Sequence, residues 1–165
     1  MLLDSQSRFN PPAADGTGGQ TNIRAIASYI SIDQIDLSQV AVPAGNQWDF
    51  GIAEYAPVFV VRQGTAFTGA GAILTIDLLS DTNANMVTTP VVHWSSGPIP
   101  VAQLGIANRE IARTRLPLAA YHQFLGVRYT VTGAAFTAGN VDAFLTQSIQ
   151  RNLTSRSGFT IPAQV

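Results

Sequence analysis

The chain has 165 residues, a one-domain length, and only 12% of them are charged, half the ~25% usual in globular proteins. It has no cysteine, which excludes disulfides and thiolate metal sites, and its 46% hydrophobic content excludes a disordered chain. Nine Arg and no Lys stand against ten acidic residues, for a net charge of −1. Such a balance does not suit a nucleic-acid surface, whereas Arg without Lys suits ion pairs made in contact with other protein.

Residues 1–19 read as an N-terminal arm. Asn10-Pro11-Pro12 resists helix, Asp15-Gly16-Thr17-Gly18-Gly19 is a flexible run, and Leu2, Leu3 and Phe9 are apolar anchors on a polar background. Those anchors predict docking on the chain's own domain or on a neighbour. Met1-Leu2-Leu3-Asp4-Ser5 lacks the basic and apolar regions of a secretory signal, and no run approaches the ~20 apolar residues of a membrane span. The expectation is a soluble protein made in the cytoplasm of whatever cell makes it, with no membrane partner.

Residues 20–150 read as a β-sandwich domain. Thr21–Ile32 predicts a strand with apolar points at Ile23, Ile26, Ile30 and Ile32, bent near Ala27-Ser28. Asp33–Ser38 fits either an edge strand or one helical turn. Pro57–Arg62 and Ile73–Leu79 are rich in β-branched and aromatic residues and flank the Gly-rich segment Gln63–Ala72, which predicts an antiparallel hairpin. Within it Leu74, Ile76 and Leu78 share the core face by period two. Ser80–Asn85 reads as a polar turn, Pro90–Trp94 as a short strand, Ser95–Pro100 as a rigid loop and Val101–Leu104 as one helical turn. Arg109–Leu116 alternates charged and apolar residues, as in a half-exposed strand with an Arg face. A second hairpin follows, in which Val127–Val131 and Val141–Thr146 flank another Gly-containing loop, with Val141, Ala143 and Leu145 inward. Ala66-Phe67-Thr68 returns there as Ala135-Phe136-Thr137. Residues 151–165 form a second arm carrying Arg151, Arg156, Phe159 and Ile161. The predicted class is all-β: an antiparallel two-sheet sandwich, jelly-roll in topology, because a repeated hairpin suits two Greek keys.

Catalytic and metal-binding patterns are missing from this sequence. His93 and His122 have no second His or carboxylate at ligand spacing. Asp81-Thr82-Asn83-Ala84-Asn85 opens like a calcium loop, but Met86 and Val92 stand where Gly and Glu belong. Ser95 and Ser96 lack a nucleophile elbow, and Asp33 and Asp36 read as solvated acids. Gly69 and Gly71 suit positive φ in a loop rather than a phosphate cradle. Trp48 and Trp94 read as core rather than as a sugar platform. The expectation is a protein that is not an enzyme and needs no cofactor or metal.

Several segments, in order, resemble tailed-phage capsid cement proteins of the Bordetella-phage type. They are Met1-Leu2-Leu3-Asp4 with Phe9; Thr21-Asn22-Ile23; Phe67-Thr68-Gly69 followed by Ala72–Ile76; Ser96–Val101 with Leu104; Leu116-Pro117; Leu125–Tyr129; and Phe136–Val141. Ala27–Val42 is longer than that family suggests, and the arm after Gln150 reads as an addition. The resemblance implies a jelly-roll decoration protein on the exterior of an icosahedral virion. It also implies a homo-oligomer, dimer or trimer, that clamps neighbouring copies of the major capsid protein. Leu2, Leu3, Arg8, Phe9, Arg156, Phe159 and Ile161 are then the candidate contacts to capsid or neighbour. The rival function is a carbohydrate-binding, lectin-like sandwich.

Overall fold

The computed structural model describes residues 9–10, 23–37, 57–117 and 119–146. They form two antiparallel sheets and, among the described residues, no α-helix. The elements are β1 (Ser28–Ile30), β2 (Ile35–Asp36), β3 (Val58–Gln63), β4 (Ile73–Asp81), β5 (Val91–Ser95), β6 (Ile99–Pro100), β7 (Glu110–Arg115), β8 (Phe124–Thr132) and β9 (Val141–Thr146). The 3₁₀ turn Val101–Gln103 occupies the predicted helical turn. The larger sheet runs β1-β8-β4-β5, with β2 on β8 and β6 on β4; the smaller runs β7-β3-β9. Asp33–Ser38, open between two forms in the sequence, contributes the edge strand β2.

The predicted hairpins are not hairpins. β3 and β4 lie in different sheets, as do β8 and β9, so each Gly-rich loop carries the chain across the sandwich. Pairing instead joins one crossing segment to the other: β3 lies on β9 from Val58↔Thr146 to Gln63↔Val141, and β4 on β8 from Ile73↔Thr132 to Asp81↔Phe124. The two segments are thus related by an approximate internal dyad that exchanges the sheets. Of the consecutive long strands, only β4 and β5 form a within-sheet hairpin. This alternation between sheets is consistent with a jelly roll.

The echoed loops meet at that dyad. Thr68 and Ala138 form an isolated bridge, and the Thr68 and Thr137 hydroxyls are 2.7 Å apart. Phe67 and Phe136, buried from the two loops, cross edge-to-face at 4.8 Å. Gly69 and Gly139 have φ of 141° and 130°, and a Cβ at Gly139 would strike the Phe67 ring. The repeated Phe-Thr and its following Gly are therefore one contact made from both sides.

Period two places the core as the sequence predicts. Leu74, Ile76 and Leu78 are wholly buried, facing Val127, Tyr129 and Val131 of β8 within one cluster. Val141, Ala143 and Leu145 are buried on β9. Two expectations fail. Ile26 and Ile32 are more than half exposed, because β1 spans only three residues and the chain bends on either side of it. Ser80 and Asp81 are buried strand rather than turn, because β4 runs on to pair with β8 as far as Asp81↔Phe124.

Candidate interaction surface

Phe9 is the described member of the predicted contact set, and its ring is wholly buried in its own sandwich. It packs edge-to-face on Phe59 at 5.9 Å. Its N–H donates to the Ala143 carbonyl of β9, and its carbonyl accepts from Asp33 N–H between β1 and β2. Asn10 beside it donates through Nδ2 to the Tyr129 hydroxyl at 2.9 Å and the Val141 carbonyl at 3.2 Å. Phe9 and Asn10 thereby fasten the small sheet to the large one along the β1–β9 seam. Burial pushes the Tyr129 hydroxyl far above the ordinary phenol range. The ring of Phe9 has no surface left for a neighbour, so its expected contact role gives way to a core role. Leu2, Leu3, Arg8, Arg156, Phe159 and Ile161 lie outside the described residues.

The opposite seam, between edge strands β5 and β7, is built differently. Residues 82–108 contain no Asp, Glu, Lys or Arg over 27 positions. Within this stretch lie Val87, Val91, Val92 and Ile106, exposed by 69, 42, 46 and 63% and four of the six large apolar side chains exposed among the described residues. Val91 and Val92 sit on the terminal strand of the larger sheet. The register slips there: Leu78 pairs with Trp94 but Leu79 with Val92, leaving His93 as the bulged residue. Between β5, β6 and β7 the seam holds a cleft of about 250 Å³ lined by Trp94, Ile99, Leu104, Arg109 and Ile111, among others.

Polar groups behind this surface hold it in shape. Asp81 ends β4, and its carboxylate accepts the backbone N–H groups of Asn83, Thr88 and Thr89 and the Thr89 hydroxyl. Burial pushes its pKa up, but the hydrogen bonds from Asn83, Thr89 and Thr88 outweigh that and hold it below the usual carboxylate value. The residues that looked like a calcium loop are thus a turn gathered by one carboxylate. Ser80 Oγ accepts the His122 N–H at 3.0 Å and lies 2.7 Å from His93 Nε2, while the His93 ring stacks on Tyr121 at 4.1 Å. Burial, and then the neighbouring His122, lower the His93 pKa. Ser95 donates to Asp77 at 2.6 Å, and Arg128 closes on the same carboxylate at 2.7 Å. Trp94, partly buried, meets Phe59 edge-to-face at 5.6 Å, a core contact as expected.

The neighbouring edge, β7, is guarded by charge. Register with β3 sets Glu110, Arg113 and Arg115 beside Arg62, Val60 and Val58, and all three charged side chains are exposed. Arg113 pairs with Glu110. Among the described residues no three His, Cys, Asp or Glu side chains gather as they would around a metal ion. No helix there is long and apolar enough to cross a membrane. The charge-free stretch is the feature sequence reasoning passed over; a running count of charges along the chain finds it.

Residues 21–145 match the Bbp16 family. The chain belongs to that family. The match spans the whole described sandwich from Ile23 to within one residue of the end of β9, and the family name points to a Bordetella phage protein. No curated protein matches the chain.

Proposed function

We propose that this protein is a capsid cement protein: a homo-oligomer that binds the outer surface of an icosahedral phage head and clamps neighbouring major capsid subunits. Membership of Bbp16 over residues 21–145 is the observation that carries this reading. The physical character of the chain supports it. A clamp needs a rigid frame and broad neutral contact area rather than a catalytic pocket. The frame here is a two-sheet sandwich closed along the β1–β9 seam by Phe9 and Asn10, and its uncharged side offers apolar contact area. The role is structural and not enzymatic, and its place is the exterior of the virion.

The test is reconstitution. Heads made without this protein are mixed with the purified chain, and its occupancy and position are read by cryo-electron microscopy. Ordered density at junctions between capsid subunits, with raised resistance of the heads to heat, is the expected result. Heads that stay bare, with specific signal on a glycan array, would replace this reading with the lectin-like one.

A further inference from the structure

We infer that His93 is a proton-operated clasp: its neutral ring holds edge strand β5 against β4, and a ring that takes up a second proton lets the strand open locally around its bulge. The inference concerns the chain alone and does not depend on the proposed binding to phage heads.

The clasp is built on Ser80. This side chain is wholly buried on β4, so its hydroxyl proton has to find an acceptor inside the protein. Ser80 Oγ accepts the His122 backbone N–H at 3.0 Å and lies 2.7 Å from His93 Nε2. A backbone N–H only donates, so the acceptor within reach is the bare Nε2 of a neutral His93, whose own proton then sits on Nδ1. A second proton on the ring would occupy Nε2 and point at Ser80 Oγ. That oxygen would face two donors, and its own proton would be buried without an acceptor, which is costly.

The surroundings oppose the charge as well. Facing the ring are Ser80 from β4 and, from the residues leading into β8, Tyr121, stacked at 4.1 Å, and His122, near enough to repel an imidazolium. Asp81, next along β4, gives its carboxylate to the N–H groups of Asn83, Thr88 and Thr89. Asp77, toward the far end of β5, is taken by Ser95 and Arg128. Among the described residues, no carboxylate pairs with His93.

Position decides what gives way. β5 ends the larger sheet, and its two ends are anchored without histidine, by the turn gathered on Asp81 and by Ser95 on Asp77. Between them His93 is the bulged residue, where the ladder is interrupted and a side chain supplies the hold. The ring is half-buried, so water reaches it. β4 keeps its pairing with β8 from Ile73 to Asp81 whether or not β5 is attached.

Amide hydrogen exchange of the full chain, followed by NMR from pH 8 to about pH 4 and corrected for intrinsic rates, tests the clasp. Protection of the β5 amides that bond to β4 is expected to fall about tenfold per pH unit between 6.5 and the lower folded value of His93. Amides of β8 and β9 are expected to keep far higher protection at every pH, because opening of β5 does not expose them. His93→Gln, neutral throughout, is expected to remove the slope in β5. Ring-nitrogen chemical shifts at pH 8 are expected to show the proton of His93 on Nδ1. Protection in β5 that is flat with pH, or a slope that survives in His93→Gln, overturns the inference. So does β5 protection equal to that of β8, which means that the strand leaves only when the whole molecule unfolds, or a proton found on Nε2 at pH 8.

Discussion

The two long seams of the sandwich solve one problem in opposite ways. Where β1 and β9 face each other, the chain supplies its own closure: Phe9 fills the gap and bonds to β9 and to the β1–β2 connection, and Asn10 ties Tyr129 to β9. Where β5 and β7 face each other, the described chain leaves a cleft, an uncharged strand and exposed valines. The first seam is filled from within, and the second leaves an uncharged, partly apolar surface exposed. The same residue type, an apolar side chain on an otherwise polar segment, therefore has two fates. Phe9 was expected to be a contact and is core; Val92 passed unnoticed inside a strand and faces outward.

The sharpest way to break this contrast is Phe9→Ala. A wholly buried Phe at the junction of both sheets is expected to contribute about 3–5 kcal/mol, read as a lower midpoint in urea unfolding. A loss below about 1 kcal/mol would mean that the seam closes without it. Asn10→Ala comes next, at about 1–3 kcal/mol, because it leaves the buried Tyr129 hydroxyl and Val141 carbonyl short of a donor.

A third prediction concerns pH at the open seam. The His93 pKa is lowered in the folded state, so the unfolded chain takes up the proton first as pH falls. The stability it contributes is present above the ordinary histidine value of 6.5 and is lost as pH falls through the lower folded value. Melting temperature is expected to decline on going from pH 8 to pH 5 and to decline less in His93→Gln. Asp81 acts in the same direction at more acidic pH: its contribution is present above 3.8 and is lost as pH falls through its lowered folded value. The smallest effect belongs to Arg113→Ala. Its exposed pair with Glu110 is expected to contribute about 0.2–1 kcal/mol, and a larger loss would show that β7 is a structural edge rather than a guarded one.

Much of the fold was legible because its information is local. Period two at Leu74, Ile76 and Leu78, and again at Val141, Ala143 and Leu145, fixes the inward face wherever those strands pair. The turn at Val101–Gln103 and the Arg face of β7 follow from local composition in the same way. Strand partners are not local. A Gly-rich loop between two apolar strands looks the same whether the chain folds back in one sheet or crosses to the other. The echo of Phe67-Thr68 in Phe136-Thr137 carried the missing information, because two like loops can satisfy each other across a dyad. Ser80 and Asp81 misled for a related reason. Polar residues suggest a turn, and these two are buried because backbone donors from the turn and from His122 converge on them. The charge-free surface was hidden because it is defined by what is lacking over a long span, and motif reading looks for what is present.

Closure by Phe9 and Asn10 also sets a timetable for the newborn chain. Asn10 waits for Tyr129 and Val141, which lie 119 and 131 residues further along, and Thr68 waits 69 residues for Thr137. Neither sheet can be completed by the first half of the molecule, since β3 lies between β7 and β9 and β4 between β5 and β8, all of them later in the chain. Such distant pairings make for slow, all-or-none folding that begins in earnest once β9 has left the ribosome. Throughout that wait the neutral strand around Val91 and Val92 is already synthesised and unshielded. High rates of expression, or premature termination before Val141, would therefore be expected to yield aggregates seeded by this one segment.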